Sequence, residues 1–528
     1  MRRRRSHWGW GYEDERPSGD ELRSTATFLA GHLGFGSPDP ETPVSLSDVV
    51  MPSPRLSPPD ALAAFCSTDR YERAAHCYGR SYRDLVRGFR GQFDNPPDVV
   101  ARPHDEKQLR EVLDWALGEK AAVIPFGGGT SVVGGVEAPS RGPFAGAVTI
   151  DMTSLDRVLE VDPVSLAARV QAGASGPRIE QQLGEQGLTL RHFPQSFELS
   201  TLGGWIATRA GGHFATLYTH IDDLVESVRA ITPIGVWESR RLPGSGAGIS
   251  PDRVLIGSEG ILGLITEAWV RVRERPVHRA SVPVRFGEFA AGAGAVRELS
   301  QSGLYPSNCR LIDAAECKLT GAGDGSSALL VLGFESAHHP VEPWMTIALE
   351  CCGDHGGAWD RRAGHGDHAV ESWREAFLRA PYLRDTFVAM GVLSETFETA
   401  ITWDRFEAFH SEVMGRASQA VQEVCGEGSV TCRFTHVYPD GPAPYFTIVA
   451  PVRRGAELEQ CAAIKQAASD AVIAGGGTIT HHHAIGRDHR QWYDRQRPQP
   501  FAQALRGAKA AVDPTGALNP GVLIDGCR

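Results

Sequence analysis

Apolar residues recur at Leu109, Val112, Leu113, Ala116 and Leu117. That is the i, i+3, i+4, i+7, i+8 stripe of an amphipathic helix. A strand-like segment, Asp98–Pro103, precedes it, and the apolar run Ala121–Phe126 follows, so the pattern predicts a strand–helix–strand unit. Further short strands are predicted at Ala147–Met152, Arg157–Val161 and Leu166–Gln171, with Asp162-Pro163 as a hairpin signal between the last two. Gly176–Gln186 reads as a helix, and Glu267–Arg273 as a strand ending before Pro276. Beyond 276 glycine clusters give way to longer segments, with helices expected at Glu371–Arg379, Arg405–Val424 and Phe501–Val512. The start of the chain is rich in Pro, Ser and charge, with helical patches at Pro59–Phe65 and Ser81–Phe89. These texture changes divide the chain into an extension (1–91), a glycine-rich domain (92–275), a second domain (276–495) and a C-terminal segment (496–528).

The chemistry concentrates where strands meet glycine. Val123-Ile124-Pro125-Phe126 runs into Gly127-Gly128-Gly129-Thr130-Ser131. Backbone N–H groups there can turn inward without Cβ atoms in the way, which makes an anion-binding concavity. A plain tight turn is the competing reading. Two more glycine-dense regions, Thr201–Gly212 and Val254–Ile265, are each expected at the end of a strand. Three such regions suit a dinucleotide, which needs several points of close backbone approach.

Bulk properties narrow the class. The 528 residues suggest two to four domains. A net charge of −11 argues against a general nucleic-acid binder. No apolar run is long enough to span a bilayer. Arg2–Arg5 lack a following apolar region, so they read as a solvated basic terminus rather than a secretion signal. Ten cysteines without a CxxC pair fit a reducing cytoplasm.

With the glycine regions in this order, the chain resembles the FAD-binding flavoproteins of the vanillyl-alcohol oxidase (PCMH) type over roughly 90–528. The resemblance implies an α+β architecture: a two-subdomain FAD-binding domain and an α+β cap with a central antiparallel sheet. It also implies FAD contacts from Pro125-Phe126-Gly127-Gly128-Gly129-Thr130-Ser131 and from Gln195-Ser196-Phe197-Glu198-Leu199-Ser200-Thr201. Thr208-Arg209-Ala210-Gly211 and Glu259-Gly260-Ile261-Leu262-Gly263-Leu264-Ile265 complete the implied FAD site. No His lies in the first glycine loop, so FAD is expected to bind non-covalently.

Within that type, several motifs resemble the alkyldihydroxyacetonephosphate synthase family of ether-lipid enzymes. They are Trp8-Gly9-Trp10-Gly11-Tyr12, Arg310-Leu311-Ile312-Asp313, Ser394-Glu395-Thr396-Phe397-Glu398-Thr399, Cys432-Arg433-Phe434-Thr435-His436-Val437-Tyr438, Tyr445-Phe446 and His481-His482-His483-Ala484-Ile485-Gly486. The triplet His481, His482, His483 follows the strand-like Thr478–Thr480, where His481 and His483 would share a face. Taken alone, such a run is a surface tract or partly buried structural histidines. A zinc site lacks Cys or carboxylate spacing, so no metal is expected. The resemblance makes the triplet necessary for activity and Tyr445 the catalytic acid, where sheet packing is the ordinary role of a tyrosine. Arg433 and Arg310, each flanked by apolar residues, need anionic partners. Those are acidic side chains such as Asp313, or a substrate phosphate. The resemblance gives Arg433 to substrate and marks Arg310 as important for activity.

Two positions depart from the family pattern: Ala484 stands where glycine is usual, and Gln195-Ser196 where an acidic residue and Ser are. The resemblance implies exchange of the acyl chain of acyl-dihydroxyacetone phosphate for a fatty alcohol, with no net redox change and a transient substrate bond to flavin N5. A histidine of the triplet or Tyr445 would move the substrate C1 proton. Phe387–Leu393 is a candidate acyl-tunnel wall, although core packing is the commoner role for such residues. The competing activity is FAD-dependent oxidation of a 2-hydroxyacid such as D-lactate or glycolate, which Pro439-Asp440-Gly441-Pro442 disfavours because it replaces a Gly-Asp-Gly-Asn segment. A flavin-loaded protein without turnover is a further alternative. Expected partners are the lipid substrates, a peripheral membrane contact and a homodimer. The ending Gly526-Cys527-Arg528 carries no peroxisomal signal and suggests a cytoplasmic, bacterial setting.

Overall fold

The computed structural model describes residues 3–140, 142–214, 216, 220–360 and 368–524. Arg2 and Gly526–Arg528 lie outside the described residues.

The strand–helix–strand reading is realised with one insertion. Helix Glu106–Gly118 is capped by Asp105, whose side chain accepts from Gln108 N–H, and it buries Leu109, Val112, Leu113 and Ala116. Strands Val99–Ala101 and Ala122–Phe126 both pair in parallel with Ala147–Asp151, which lies between them. All three are apolar because both faces of this small sheet are covered. C-terminal residues lie along its edge: Val123 N–H donates to the Ala517 carbonyl at 2.8 Å and Asn519 N–H to the Val123 carbonyl at 2.8 Å. A second, antiparallel sheet runs in the order Val158–Asp162, Ala167–Gln171, Leu264–Arg271, Val225–Thr232, Gly235–Glu238. Its first pair is the hairpin signalled at Asp162-Pro163.

The third sheet has six antiparallel strands: β1 (His278–Phe286), β2 (Asn308–Ile312), β3 (Ala328–Ser336), β4 (Val392–Glu398), β5 (Ser429–Val437) and β6 (Pro442–Pro451). They run in the order β1-β3-β2-β5-β6-β4. Ile312 opposes Arg433, Arg433 opposes Tyr445, and Tyr445 opposes Glu398. Directly opposed residues share a face. One face therefore carries Arg310, Arg433, Tyr445 and Thr447. The other carries Cys432, Phe434, Phe397 and Phe446, which form the core with Phe406, Phe409 and Val413. This alternation is why a buried arginine sits between Cys432 and Phe434.

Four helices bear on the site: α1 (Gly19–Leu33), α2 (Leu202–Thr208), α3 (Ala314–Thr320) and α4 (His368–Met390). α1 opens on a Ser18/Glu21 capping box and closes on Gly34 at φ +83°. Its Ala26 and Leu29 pack against Met390, Val392 and Val449. The extension is thus part of the wall of the second domain rather than a separate unit.

Several local expectations are corrected. The second glycine cluster is helical: Thr201 caps α2 through Gly204 N–H, and the small residues let that helix press on Ala172. The third lies between helix Pro251–Leu255 and strand Leu264–Arg271, not at the end of a strand. Pro59–Phe65 contains only one 3-10 turn, Asp60–Leu62, with Pro59 at its N-cap. Thr478–Thr480 is not a strand. The basic terminus is not merely solvated. Arg4 lies 3.9 Å over the Tyr71 ring, and Arg5 donates to the Gly128 carbonyl at 2.7 Å. Guanidinium groups stack on rings and fork onto carbonyls, which a charge count along the chain does not register.

Candidate active site

A cavity of about 520 Å3 lies between the glycine loops and the polar face of the six-stranded sheet. One wall is Gly127-Gly128-Gly129-Thr130-Ser131, with Gln195, Ser196, Ser200 and Thr201. Thr208, Ala210 and Gly211 continue it. Glycine is needed where these segments meet. A Cβ at Gly128 would fall 2.0 Å from the Leu199 carbonyl oxygen, and one at Gly127 would fall 2.3 Å from Thr201 Oγ1. Gly129 sits at φ +64°. A long concave wall of backbone and small hydroxyl side chains is what a dinucleotide requires, so these residues fit FAD. Gly128→Ala is expected to push this wall apart and to leave the purified protein with less than half the normal flavin per chain, read from the 450/280 nm absorbance ratio.

Other residues expected at the cofactor stand behind this wall. Pro125 and Phe126 support the loop from the strand, and Gly129 folds onto the Phe126 ring. The Leu199 carbonyl backs Gly128 and Phe197 packs on Gly176. Glu198 accepts from the Tyr382 hydroxyl at 2.6 Å. Arg209 leaves α2 in the left-handed conformation and pairs with Asp222 at 3.0 Å. Glu259-Gly260-Ile261-Leu262-Gly263-Leu264-Ile265 does not line the cavity. Instead the buried Glu259 carboxylate accepts N–H groups from Ile485 (2.9 Å) and Gly486 (2.8 Å), and burial pushes it up to about 7. It anchors the segment after the histidine triplet to the glycine-rich domain.

The opposite wall carries the sheet's polar face. Arg433, Tyr445 and Thr447 line it with Arg310, Arg384 and Glu316. The Arg433 guanidinium stacks 4.0 Å over the Tyr445 ring and ion-pairs with Glu316. Arg310 Nη1 lies 3.0 Å from His213 Nδ1. Asp313, the sequence-level partner, is engaged otherwise: it caps α3 through Glu316 N–H (2.6 Å) and accepts from Cys432 N–H (2.5 Å). Burial and the neighbouring Arg433 lower Arg310 to about 9, so it remains cationic at neutral pH.

The histidine triplet is held by a residue that sequence reading left without a role. Glu398, at the end of β4, accepts the backbone N–H groups of His481 (2.5 Å), His482 (3.2 Å) and His483 (2.9 Å), and the Thr480 hydroxyl at 2.5 Å. Three consecutive N–H groups wrap one carboxylate, so the triplet is a tight bend and not an alternating strand. Burial opposes the Glu398 charge, but His483, His481 and these donors hold it below the usual carboxylate range. His482 and His483 face the cavity and flank Tyr445, with ring centroids 6.1 and 5.6 Å from it.

His481 points away from the cavity, toward Tyr438 (2.7 Å) and His220 (3.1 Å). His436 joins the group because a register irregularity between Phe434 and His436 turns its side chain to the cavity face. Ring nitrogens of His436, His481 and His482 lie within 4.8 Å of one another, a spacing compatible with a cation, and the sequence spacing did not bring His436 to the triplet. Burial lowers all three well below the ordinary histidine value, so the rings are neutral.

Ala484 stands at φ +72°, a left-handed position. This explains the glycine usual there. Ala484→Gly is expected to raise stability by about 0.5–1 kcal/mol, read as a denaturant-midpoint shift.

The apolar part of the lining comes from Phe28, Leu29 and Leu33 of α1, Leu319 of α3, and Leu383 and Phe387 of α4. Of the expected tunnel stretch, Phe387 lines the cavity while Val388, Ala389 and Leu393 are buried in the core.

Residues 97–239 match the family profile described as an FAD binding domain, and residues 275–523 that described as FAD linked oxidases, C-terminal domain. FAD is therefore the cofactor, and the protein is an FAD-dependent enzyme. The chain is 31% identical to an alkyldihydroxyacetonephosphate synthase of Trypanosoma brucei brucei, over 86% of this chain and 78% of that protein. It is 29% identical to the Dictyostelium discoideum protein of the same name, with the same shares covered. A solved alkyldihydroxyacetonephosphate synthase structure superposes with a TM-score of 0.82 at 25% identity, covering 98% of each chain. p-Cresol methylhydroxylase shares the fold, with a TM-score of 0.70 at 14% identity over 97% of this chain and 98% of that one. A glycolate oxidase subunit of Bacillus subtilis is 24% identical over 81% of this chain and 89% of its own length. With the flavin wall, the arginine–tyrosine–histidine face and these likenesses together, the chain belongs to the alkyldihydroxyacetonephosphate synthase family of FAD-dependent enzymes.

Proposed function

We propose that this protein exchanges the acyl chain of acyl-dihydroxyacetone phosphate for a fatty alcohol without net redox change. The observation that carries this reading is the polarity of the cavity. Its charged side chains are Arg310, Arg384 and Arg433 against Glu316, while much of the rest is apolar. Arg310 and Arg433 are buried side by side on the cavity wall and their guanidiniums repel one another, which favours an anionic substrate group between them. A phosphorylated head at Arg433 and Arg310 with an acyl chain along α1 and α4 uses both parts of the cavity.

When bound, FAD supplies an electron sink next to the substrate carbon. It is held non-covalently, by the backbone of Gly127–Ser131 and the hydroxyls around Ser200 and Thr201. Tyr445 is the acid that protonates the departing carboxylate, and a histidine beside it exchanges the C1 proton. The cluster is read as proton-transfer machinery rather than a metal site, since both ring nitrogens of His481 already have protein partners.

No helix among the described residues is long and apolar enough to cross a membrane. Phe28 is 70% exposed on the helix that lines the apolar part of the cavity, which supports peripheral contact with a lipid surface.

The test is anaerobic incubation of the flavin-loaded protein with palmitoyl-dihydroxyacetone phosphate and labelled hexadecanol. Palmitate release and labelled alkyl product without an electron acceptor are expected. Flavin bleaching by D-lactate or glycolate with no alkyl product would give the site to 2-hydroxyacid oxidation instead.

A further inference from the structure

The hydrogen bonds around the histidine bend determine where its protons sit. His220 Nδ1 lies 3.0 Å from the Arg209 carbonyl oxygen, which can only accept. His220 is neutral because burial lowers it, so its Nδ1 carries the hydrogen and its Nε2 a lone pair. That lone pair faces His481 Nε2 at 3.1 Å, so His481 Nε2 carries a hydrogen. Neutral His481 then has its lone pair on Nδ1, which faces His482 Nδ1 at 3.0 Å. His482 Nδ1 is therefore protonated, and the Glu398 carboxylate 3.5 Å away favours the same placement. What remains is the His482 Nε2 lone pair, on a residue that lines the cavity beside Tyr445.

The chain continues outward. Tyr438 Oη also lies 2.7 Å from His481 Nε2, so it accepts that nitrogen's one hydrogen, shared with His220 Nε2, and does not donate to it. Tyr438 lines a second cavity of about 410 Å3 with Thr402, Arg405, Asp440 and Gln496, none of which lines the substrate cavity.

We propose that His482 is the base that takes the substrate proton, and that His481 and Tyr438 relay protons between the substrate cavity and this outer cavity. The role of base rests on the reading of function above; the tautomer assignment does not. In the step, the C1–H bond of the substrate breaks and its electron pair stays on carbon. A new N–H bond forms at His482 Nε2. His482 Nδ1–H passes its proton to His481 Nδ1, His481 Nε2–H passes its proton to Tyr438 Oη, and the original Tyr438 proton leaves through the outer cavity. One proton enters the relay and one leaves it. His220 is a positioning residue that sets the direction of the donors.

Two measurements test the proposal. In the flavin-loaded protein labelled with 15N-histidine, nitrogen shifts are expected to show His482 protonated at Nδ1 and His481 at Nε2, with signals assigned by single His→Gln variants. The opposite tautomer at His482 overturns the assignment, whether or not the substrate is right. In deuterated water, Tyr438→Phe is expected to slow deuterium entry at C1 of palmitoyl-dihydroxyacetone phosphate about tenfold or more, with KM within about twofold. Unchanged entry overturns the relay. If the unaltered protein converts no acyl-dihydroxyacetone phosphate, the function reading fails while the nitrogen shifts still decide the tautomers.

Discussion

Glu398→Ala is expected to abolish turnover and to lower stability by about 3–5 kcal/mol. Glu398 is 2% exposed and its carboxylate serves His481, His482 and His483 N–H groups and the Thr480 hydroxyl at once. Each buried N–H left without an acceptor costs about 1–3 kcal/mol, and relaxation of the bend returns part of that sum. The loss of turnover has a separate cause. Without the carboxylate the three N–H groups have no reason to converge, so His482 and His483 leave Tyr445. Glu398→Gln separates the two effects, because it keeps one acceptor oxygen and the side-chain volume but turns an amide toward N–H donors. It is expected to melt at a temperature between the unaltered protein and the alanine variant, with activity reduced at least about a hundredfold. A Gln variant with normal activity would mean that the bend is held by other contacts.

The second large effect is a steep loss of stability in mild acid. His7 is pushed down to about 4, and His192 and His489 to about 3, in each case chiefly by burial. His436, His481 and His482 lie well below the ordinary value for the same reason. These groups are neutral when folded and bind a proton when unfolded below about pH 6.5, so the unfolded state gains protons as pH falls. Their contribution to stability is complete above about pH 6.5 and shrinks toward the folded values. Each costs about 1.4 kcal/mol per pH unit in that window.

Carboxyls raised by burial work the other way. Glu259 and Asp385, each raised to about 7 by burial, keep their protons when folded and add stability as pH falls from 7 toward the unfolded carboxyl range. Nine histidines are lowered and six carboxyls raised among the described residues, a balance that leaves a net loss of a few kcal/mol between pH 6.5 and 5, a large share of a protein's total stability. Thermal unfolding at fixed ionic strength is expected to show a plateau above pH 6.5 and a sharp fall below pH 6. A flat profile between pH 5 and 7 would show that the histidines are protonated in the folded chain.

Much of the first domain was legible from periodicity alone, because its signals are local. The stripe at Leu109–Leu117, the Asp162-Pro163 hairpin and the run into Gly127-Gly128-Gly129 each declare themselves within about ten residues. The misreadings share a cause. Glycines at Gly203 and Gly204 look like loop residues until Ala172 is known to press against them, and Thr478–Thr480 looks like a strand until Glu398 is known to draw the next three N–H groups together.

The candidate site divides along the same line. Its residue types and motifs were present in the sequence: Arg310, Arg433, Tyr445 and His481–His483. Their pairings were not. Glu316, His213, His220 and Glu398 come from four other segments. His436, inside a quoted motif, reached the site only through a break in strand register.

By itself the sequence determined the FAD-binding class, the glycine wall and the family, because these depend on short stretches whose backbone has few alternatives. The tertiary structure decided which groups meet in the cavity, that Arg433 shares Glu316 instead of standing alone, that α1 closes the apolar wall, and which nitrogen of His482 is basic. Those outcomes depend on burial and on contacts between residues often more than a hundred positions apart. Desolvation and hydrogen bonding act on neighbours in space, and neither leaves a periodic trace along the chain.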